Sequence, residues 1–372
     1  MKVLILSCNT GQGHNTAARA VQEEMARRGV ECEMRDALAF SSERASKLIS
    51  GTYMRMAVDA PRVFGKMYQV GEAISNPYVK SPVYVANMAL TRKMGRYIRE
   101  NGFDAVITSH LFPSQALTHL TRHGQIQART YFISTDYTCH PFTEDIGPDR
   151  YFIAHADLLE EYIGRSVPRE KICVSGIPVS ARFREKEDRA EARRQLNVGP
   201  EEKMFLIMSG SMGAGNTCRT AEIILREGGE KSRIFIMTGK NEEMKREVDA
   251  LSARDARVTA VPFTTQVPLY MSAADVLLTK PGGLTTTEAA VLRIPLVLSA
   301  PIPGCESANA AFFEEKGMAI CAADEQATAR AAMWLAADRE KSERMVAAQA
   351  REINPRAAEK ICDMVLEMDA EG

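Results

Sequence analysis

The chain has 372 residues, of which 45% are hydrophobic and 26% charged, and its formal net charge is −1. This composition is ordinary for a soluble globular protein, and the length favours two domains because single cores stop growing near ~250–300 residues. The eight cysteines contain no C-x-x-C pair, the first apolar run is too short for a signal peptide, and no stretch approaches the ~20 apolar residues of a membrane span, which argues against a structural zinc, secretion and a transmembrane protein.

The first half of the chain begins with a predicted strand, a glycine-containing turn and a helix. The strand "KVLILS" precedes "CNTGQGHNTAARAVQEEMARRG", in which Ala17, Ala20, Val21 and Met25 fit one helix face. A second strand is predicted in "VECEMRD", and this order is typical of a Rossmann-like unit. Further strands of the same half are predicted in "FDAVITSH", "RTYFIST", "RYFIAH" and "ICVSG".

A basic segment interrupts this half between Arg44 and Arg99. It holds ten Lys and Arg residues against two acids, a local charge of +8, with Tyr, Phe and Met residues in between. Basic and apolar mixtures of this kind bind anionic membrane surfaces, at about 1 kcal/mol per basic residue close to the surface. We expect residues 44–99 to contact such a surface and no nucleic acid; the alternatives are a solvated helical arm, a dimer contact and a nucleic-acid patch.

The strand–turn–helix pattern restarts after the charged stretch "SARFREKEDRAEARRQLNVGPEEK". A strand and a glycine-rich turn are predicted in "MFLIMSGSMGAGN", followed by strands in "SRIFIMTG", "RVTAVPF", "DVLLTK" and "PLVLSA" that alternate with helices. The predicted boundaries are a domain over 1–180, a linker over 181–202, a second domain over 203–323 and helices over 324–372. An alternative for these last helices is that they pack back on the first domain. We expect Trp334 to lie in their core.

The stretch "KPGGLTTTEA", residues 280–289, lies between a predicted buried strand and a helix. Glycines at such a crossing let the backbone approach a ligand, and the first N–H groups of the helix attract an anion. Glu288, one turn into the helix, is a candidate for ribose hydroxyls. Because many strand-to-helix turns carry glycine for geometry alone, the motif by itself supports nucleotide or phosphate binding and a purely geometric role equally.

Five motifs together resemble the monogalactosyldiacylglycerol synthase and processive diacylglycerol glucosyltransferase family. In chain order they are "GQGH", "TDYTCH", "SGSMGAGN", "KPGGLTTTEA" and "PGCESANAAFF". The resemblance runs from Lys2 to about Cys321 and implies the GT-B fold of family 28-like glycosyltransferases. That fold is α/β, with two Rossmann-like parallel-sheet domains that face each other across a cleft.

The resemblance also implies a UDP-sugar donor held by the second domain. Glu288 matches the glutamate that accepts from both ribose hydroxyls, and Phe263 matches the position whose backbone pairs with uracil. Cys305 stands where the family motif has glutamine, which leaves the identity of the sugar open. The remaining donor-side matches face the diphosphate (Ser211, Gly213, Gly283, Leu284, Thr285) or the sugar (Glu306, Asn309).

The acceptor side is assigned to the first domain. His14 is the candidate base, since an imidazole with an ordinary pKa near ~6.5 suits proton transfer at neutral pH. Asp136 is a second candidate, as base or as the group that orients His14, and the resemblance adds Gly13 and His140. A helix cap or a turn is the alternative role for His14 and Asp136, while His110 is interpreted as structural. No D-x-D motif occurs in a suitable loop, so we expect no metal and no cofactor besides the UDP-sugar substrate.

Three functions are left open by the sequence. The preferred one is an inverting glycosyltransferase, cytoplasmic and peripheral on the inner face of the cell membrane, that moves glucose or galactose from a UDP-sugar to diacylglycerol or a related membrane lipid. The second is a GT-B enzyme with a soluble acceptor, or a UDP-sugar epimerase or hydrolase. The third is a dinucleotide-binding oxidoreductase or binding module, which is disfavoured because "GQGHNTA" lacks the third glycine of the fingerprint.

Overall fold

The computed structural model of the protein describes residues 1–8, 12–40, 70–71, 80–185, 187–208, 216–299 and 301–370. The chain divides into two compact units. The first consists of Met1–Ala181, Pro303–Cys305 and Asn354–Gly372, and the second of Arg182–Ile302 and Glu306–Ile353.

The first unit is built on a parallel sheet with strand order β2-β1-β3-β4-β5-β6. Its strands are β1 (Lys2–Ser7), β2 (Glu31–Asp36), β3 (Ala105–Thr108), β4 (Arg129–Ile133), β5 (Arg150–Ile153) and β6 (Ile172–Val174). The helices before the chain leaves this unit are α1 (Gln12–Arg27), α2 (Pro82–Asn87), α3 (Thr91–Glu100), α4 (Leu111–Arg122) and α5 (Leu159–Gly164). Short 3-10 turns occupy Ala37–Phe40, Met88–Leu90, Thr143–Asp145, Ala156–Leu158, Arg169–Lys171 and Ala181–Phe183.

The second unit holds the other parallel sheet, with strand order β12-β11-β10-β7-β8-β9. Its strands are β7 (Lys203–Met208), β8 (Ser232–Gly239), β9 (Val258–Pro262), β10 (Val276–Thr279), β11 (Leu296–Ser299) and β12 (Ile320–Ala322). Its helices are α6 (Arg189–Gln195), α7 (Thr217–Glu227), α8 (Glu242–Arg254), α9 (Val267–Ala273), α10 (Gly283–Leu292), α11 (Cys305–Glu315), α12 (Glu325–Ala337) and α13 (Arg339–Glu352). The prediction of two parallel-sheet α/β halves is confirmed.

The last helix, α14 (Ala357–Ala370), belongs to the first unit. Its Ile361, Cys362 and Val365 are fully buried in one core cluster with Val3 and Ile5 of β1. Leu4 and Leu6 point to the other face of the sheet and pack in the cluster formed with α3 and α4. Because both faces of the sheet are covered, its inner strands are largely apolar runs instead of alternating ones, while the edge strand β2 is polar and only partly buried.

The predicted linker 181–202 contains α6 and lies in the second unit. The guanidinium of buried Arg193 donates to the Ala273 carbonyl at 3.1 Å and to the Gly199 carbonyl at 2.7 Å, and it pairs with Asp275 at 3.1 Å. These bonds hold α6 against the segment that leads into β10. The expectation for Trp334 was wrong: its side chain is 50% exposed, and the Lys341 ammonium lies 5.3 Å from the ring centroid, because the small alanines of α12 occupy the buried face.

Each sheet has one point where the strand order reverses direction. In the first sheet this point lies between β1 and β3, and in the second it lies between β7 and β10. Helices after the two adjacent strands there pass to opposite sides of the sheet and leave a crevice at the carboxyl ends of the strands, where α/β proteins bind ligands. The motifs of interest follow these strands.

Candidate active site

In the first unit, the predicted acceptor-side residues lie at the carboxyl ends of β1, β3 and β4. Gly13 and His14 lie in the first turn of α1, His110 precedes α4 as its N-cap, and Thr135 and Asp136 follow β4. Because β3 neighbours both β1 and β4 in the sheet, these positions come together although they are far apart in sequence.

His14 is held by the loops after β3 and β4. Its ring Nδ1 lies 2.7 Å from the Ser109 carbonyl oxygen and 3.0 Å from the Thr135 hydroxyl. The Ser109 hydroxyl donates in return to the backbone carbonyl of His14 at 3.0 Å. Since a carbonyl only accepts, the hydrogen-bond network assigns the ring proton to Nδ1, and Nε2 carries the free lone pair. His14 is therefore oriented as a base at Nε2.

Asp136 is linked to His14 through Thr135 instead of touching it directly. The Thr135 hydroxyl is 3.4 Å from the Asp136 carboxylate, and the same carboxylate oxygen lies 3.1 Å from Nε2 of His140. Asp136 and His140, both predicted as site residues, thus form one partly buried carboxylate–imidazole pair. This arrangement suits the orienting role of Asp136 better than the role of a base.

His110, which the sequence interpretation set aside, packs against His14. The two ring centroids are 4.7 Å apart in an edge-to-face arrangement, and Nδ1 of His110 accepts from the Phe112 N–H at 3.2 Å. Burial and the neighbouring imidazoles lower the pKa of His110 well below its ordinary value. Burial lowers the pKa of His14 as well, opposed by the Asp136 charge and the Ser109 hydrogen bond. His14 is therefore neutral and able to accept a proton at neutral pH.

In the second unit, the crossing from β10 to α10 has the form that the sequence predicted. Gly282 is the N-cap and supplies no side-chain cap, and the N–H groups of Gly283, Leu284 and Thr285 have no acceptor among the described residues. The hydroxyls of Thr286 and Thr287 bond carbonyls of their own helix at Gly282 and Gly283. The backbone N–H groups, and not these hydroxyls, are thus available to an anion.

Glu288 lies one turn into α10 and is buried, with 7% of its surface exposed. The structure gives its carboxylate no hydrogen-bond partner within the described parts of the chain. Burial raises its pKa to about 8, with Arg182 acting in the opposite direction. A buried carboxyl without a partner is costly, and hydroxyl groups of a ligand would remove that cost.

The first turn of α11 is fastened to the same crossing. The Asn309 side-chain amide donates to the Pro281 carbonyl at 3.0 Å, and the Lys280 ammonium forms an ion pair with Glu306. The second Glu306 oxygen accepts from the Ile302 N–H at 2.9 Å. Gly304, next to Cys305, has φ of 113°, a conformation that favours glycine. Lys280 was part of the sequence motif but was not assigned a role there.

Of the remaining predicted donor-side residues, the structure describes Phe263 but neither Ser211 nor Gly213. Phe263 is 64% exposed and its N–H donates to the Gly239 carbonyl at 2.9 Å, which leaves its own carbonyl as the backbone group open to a base edge. Ser211 and Gly213 lie outside the described residues, as does most of the basic segment 44–99. Within the described ranges, no three His, Cys, Asp or Glu side chains are placed to hold a metal ion. None of the helices described is long and apolar enough to cross a membrane.

Solved structures of similar shape define the fold class. MurG of Acinetobacter baumannii aligns with a TM-score of 0.64 at 17% identity, over 98% of this chain and 99% of that one. Anabaena HepE, solved in complex with UDP, aligns with a TM-score of 0.59 at 13% identity, over 99% and 100% of the two chains. With its two Rossmann-like units and a polar site at each switch point, the protein has the GT-B fold.

Sequence comparison identifies the family. Residues 14–179 match the monogalactosyldiacylglycerol (MGDG) synthase model, and residues 204–361 match the glycosyltransferase family 28 C-terminal domain. A processive diacylglycerol beta-glucosyltransferase of Bacillus subtilis (strain 168) is 24% identical over 347 residues, which cover 92% of this chain and 89% of that protein. The resemblance that the motifs indicated is thus confirmed: the first half of the chain matches the MGDG synthase family, and the second half matches glycosyltransferase family 28.

Proposed function

We propose that this protein transfers a hexose from a UDP-sugar to diacylglycerol or a related membrane lipid, with inversion at the sugar carbon. The donor half of the proposal is carried by buried Glu288, which has no hydrogen-bond partner among the described residues, and by the open N-terminus of α10 beside it. A ribose diol and a diphosphate are the two neighbouring groups that such a pair fits. The lipid acceptor is supported by the family match of the first half and by the diacylglycerol glucosyltransferase activity for which the Bacillus subtilis relative is named.

The first unit would supply the proton acceptor for the reaction. Nε2 of His14 takes the proton of the acceptor hydroxyl as its oxygen forms a bond to the sugar carbon, and the bond from that carbon to the diphosphate breaks. Thr135 and Ser109 hold the ring by Nδ1, so the lone pair keeps its direction. A single displacement by an activated hydroxyl inverts the configuration, because the hydroxyl attacks from the side opposite to the departing UDP.

The second unit would stabilise the departing UDP. Backbone N–H groups at the start of α10 face the growing negative charge and need no reorganisation when the bond breaks. These N–H groups would stabilise the negative charge that a metal ion stabilises in other glycosyl transfers, so we propose a metal-independent reaction. Full turnover in the presence of a strong chelator is the expected result, and loss of activity that Mg²⁺ or Mn²⁺ restores would contradict it.

The membrane part of the proposal rests on the composition of segment 44–99, most of which lies outside the described residues. We propose peripheral binding to the anionic inner face of the cell membrane. The protein should sediment with anionic vesicles more than with zwitterionic ones, and salt should release it. Exchanging Arg55, Arg62 and Lys66 for glutamine should weaken this binding without lowering the melting temperature. Equal, salt-insensitive binding to both vesicle types would leave hydrophobic contact alone.

The proposal as a whole is tested with each labelled UDP-hexose in turn. Purified protein is incubated with vesicles that contain diacylglycerol, and the lipid extract is separated by chromatography. The expected product is a glycolipid that carries the label from UDP-glucose or UDP-galactose. Label that stays in the aqueous phase as a free hexose or a new nucleotide sugar would favour a hydrolase or an epimerase instead.

A further inference from the structure

Lys280 is a charged group at the donor end of the second sheet that the reaction as described does not use. It follows directly after β10, at the carboxyl edge where α10 and α11 begin. Its ammonium pairs with Glu306, and the two side chains are 16% and 9% exposed. Within the part of the chain that the structure describes, this is the one salt bridge assigned to Lys280. The ion pair is thus partly shielded from water, where charge interactions are stronger than on an open surface.

Among the described residues, the other sources of positive charge near this crossing are the N-terminus of α10 and Arg182, whose charge acts on Glu288. A helix N-terminus contributes about half a unit of positive charge, whereas a nucleoside diphosphate sugar carries two negative charges and its leaving group a third. The acids near the crossing, Glu288 and Glu306, worsen the balance when they are ionised. One full positive charge from Lys280 at this edge would correct much of it.

The backbone also places Lys280 close to the predicted diphosphate position. The Lys280 carbonyl accepts from the Gly282 N–H at 2.9 Å, so the residue sits inside the same tight turn that opens α10. Glu306 stays anchored by the Ile302 N–H, and Asn309 holds the Pro281 carbonyl. A rotation of the lysine side chain can therefore change its partner while the turn and α11 remain where they are.

We propose that Lys280 exchanges its partner when the donor binds: its ammonium leaves Glu306 for the β-phosphate of a UDP-sugar, and the freed Glu306 carboxylate accepts from a sugar hydroxyl. This inference rests on the proposed function, and it gives that site an order of events. In the empty enzyme, the pair keeps both charges neutralised. With donor bound, Lys280 contacts the β-phosphate and Glu306 contacts the sugar. When UDP departs without sugar, Lys280 contacts the phosphate on which negative charge develops.

Binding of UMP, UDP and UDP-glucose to purified variants tests this exchange by calorimetry. Lys280→Met removes the charge at similar length, Lys280→Arg keeps it, and Glu306→Gln removes the competing carboxylate while its oxygen still accepts from Ile302. Lys316→Met is the matched control, because Lys316 pairs with Glu352 at 3.4 Å near the far end of α11. Melting temperatures establish that each variant is folded.

The exchange predicts a distinct pattern of affinities. Lys280→Met should weaken UDP by about tenfold or more and leave UMP within about twofold, because only UDP carries the β-phosphate. Lys280→Arg should restore most of the preference for UDP over UMP. Glu306→Gln should bind UDP several-fold more tightly, since no carboxylate competes for Lys280, yet UDP-glucose should gain less than UDP does. In the double variant Lys280→Met/Glu306→Gln the tightening for UDP should vanish, and Lys316→Met should match the wild type.

Each contrary result has a separate meaning. Unchanged UDP affinity in Lys280→Met, or an equal loss for UMP and UDP, would overturn the exchange and leave the proposed function intact. Weaker UDP binding in Glu306→Gln would show that the ion pair is a fixed structural contact, and this result would also overturn the exchange. A wild-type protein that binds neither UMP nor UDP would overturn the proposed function itself, and the exchange with it.

Discussion

The two switch-point sites differ in how their polar groups are satisfied. In the first unit, His14, Asp136 and His140 bond to protein atoms of neighbouring loops, and the hydrogen bonds of the His14 ring leave the lone pair of its Nε2 available. In the second unit, the described residues provide no hydrogen-bond partner for the Glu288 carboxylate or for the first N–H groups of α10. Within the described parts of the chain, the polar groups of the first site bond mainly to one another, whereas those of the second are available to a ligand.

This difference separates two tasks that one fold has to perform. A base needs a fixed direction and a neutral resting state, and internal hydrogen bonds with burial provide both. A binding site gains affinity from groups whose desolvation cost the ligand removes. Substitutions in the first unit should therefore reduce turnover at constant donor affinity, while substitutions in the second should reduce donor affinity. The predictions that follow test this division.

The largest expected effect is on turnover in His14→Ala. Loss of a general base typically costs about 10²–10⁴-fold in rate, while UDP affinity should stay within about twofold. Steady-state kinetics with the lipid acceptor measure the turnover rate, and calorimetry with UDP measures the affinity. The control is His123→Ala, since exposed His123 bonds only to a carbonyl of its own helix. A parallel loss of UDP affinity would mean that His14 belongs to donor binding.

The next effect is on UDP affinity in Glu288→Ala. Hydrogen bonds to a charged group contribute about 1.5–3 kcal/mol each, so losing the pair to a ribose diol should weaken UDP by about a hundredfold or more. Exposed Glu247 of α8 is a matched control for the same substitution. An unchanged dissociation constant for UDP would remove the ribose assignment.

The raised pKa of Glu288 predicts opposite pH trends for binding and stability. The carboxylate is the form that accepts from both hydroxyls, so UDP affinity should rise with pH up to about 8 in the wild type and be flat in Glu288→Gln. Because the pKa of Glu288 in the folded protein lies above its ordinary value of 4.5, the unfolding free energy should fall between pH ~5 and ~8, by at most about 1.4 kcal/mol per pH unit. Denaturant titrations at several pH values check this, and the same fall in Glu288→Gln would exclude Glu288 as its source.

The smallest effect is expected for Gly282→Ala. A Cβ at this position meets no atom of the described residues within 4 Å, and the φ of −75° suits any residue, so stability should change by less than about 0.5 kcal/mol. The methyl group would nevertheless enter the space before the open N–H groups and weaken UDP several-fold. Gly164→Ala, with equally free space in the first unit, should leave UDP affinity unchanged. If both variants bind UDP like the wild type, the diphosphate does not approach this turn.

Sequence patterns predicted the fold because most of the strands are short apolar runs followed by a turn, as in "DVLLTK" and "KVLILS". They also predicted the form of the crossing at residues 280–289, since strand, glycine turn and helix are local. The contacts of His14 were out of reach because they depend on the neighbours of β1 in the sheet: Ser109 and Thr135 lie 95 and 121 residues away. The position of His110 at the end of a strand was the signal that could have joined it to His14. Lys280 and Glu306 are likewise 26 residues apart, with β11 between them.

The return of α14 to the first unit has a consequence for how the two units depend on the chain that follows them. Ile361, Cys362 and Val365 of α14 fill the core beside β1, although the whole second unit lies between these two elements in sequence. Arg28 of α1 also pairs with Asp363 of α14 at 2.5 Å. The second unit ends at Ile353, whereas the first unit keeps one flank of its sheet uncovered until α14 docks. Truncation after Ile353 should therefore expose apolar surface on the first sheet and make the protein aggregate, while the second unit keeps its fold.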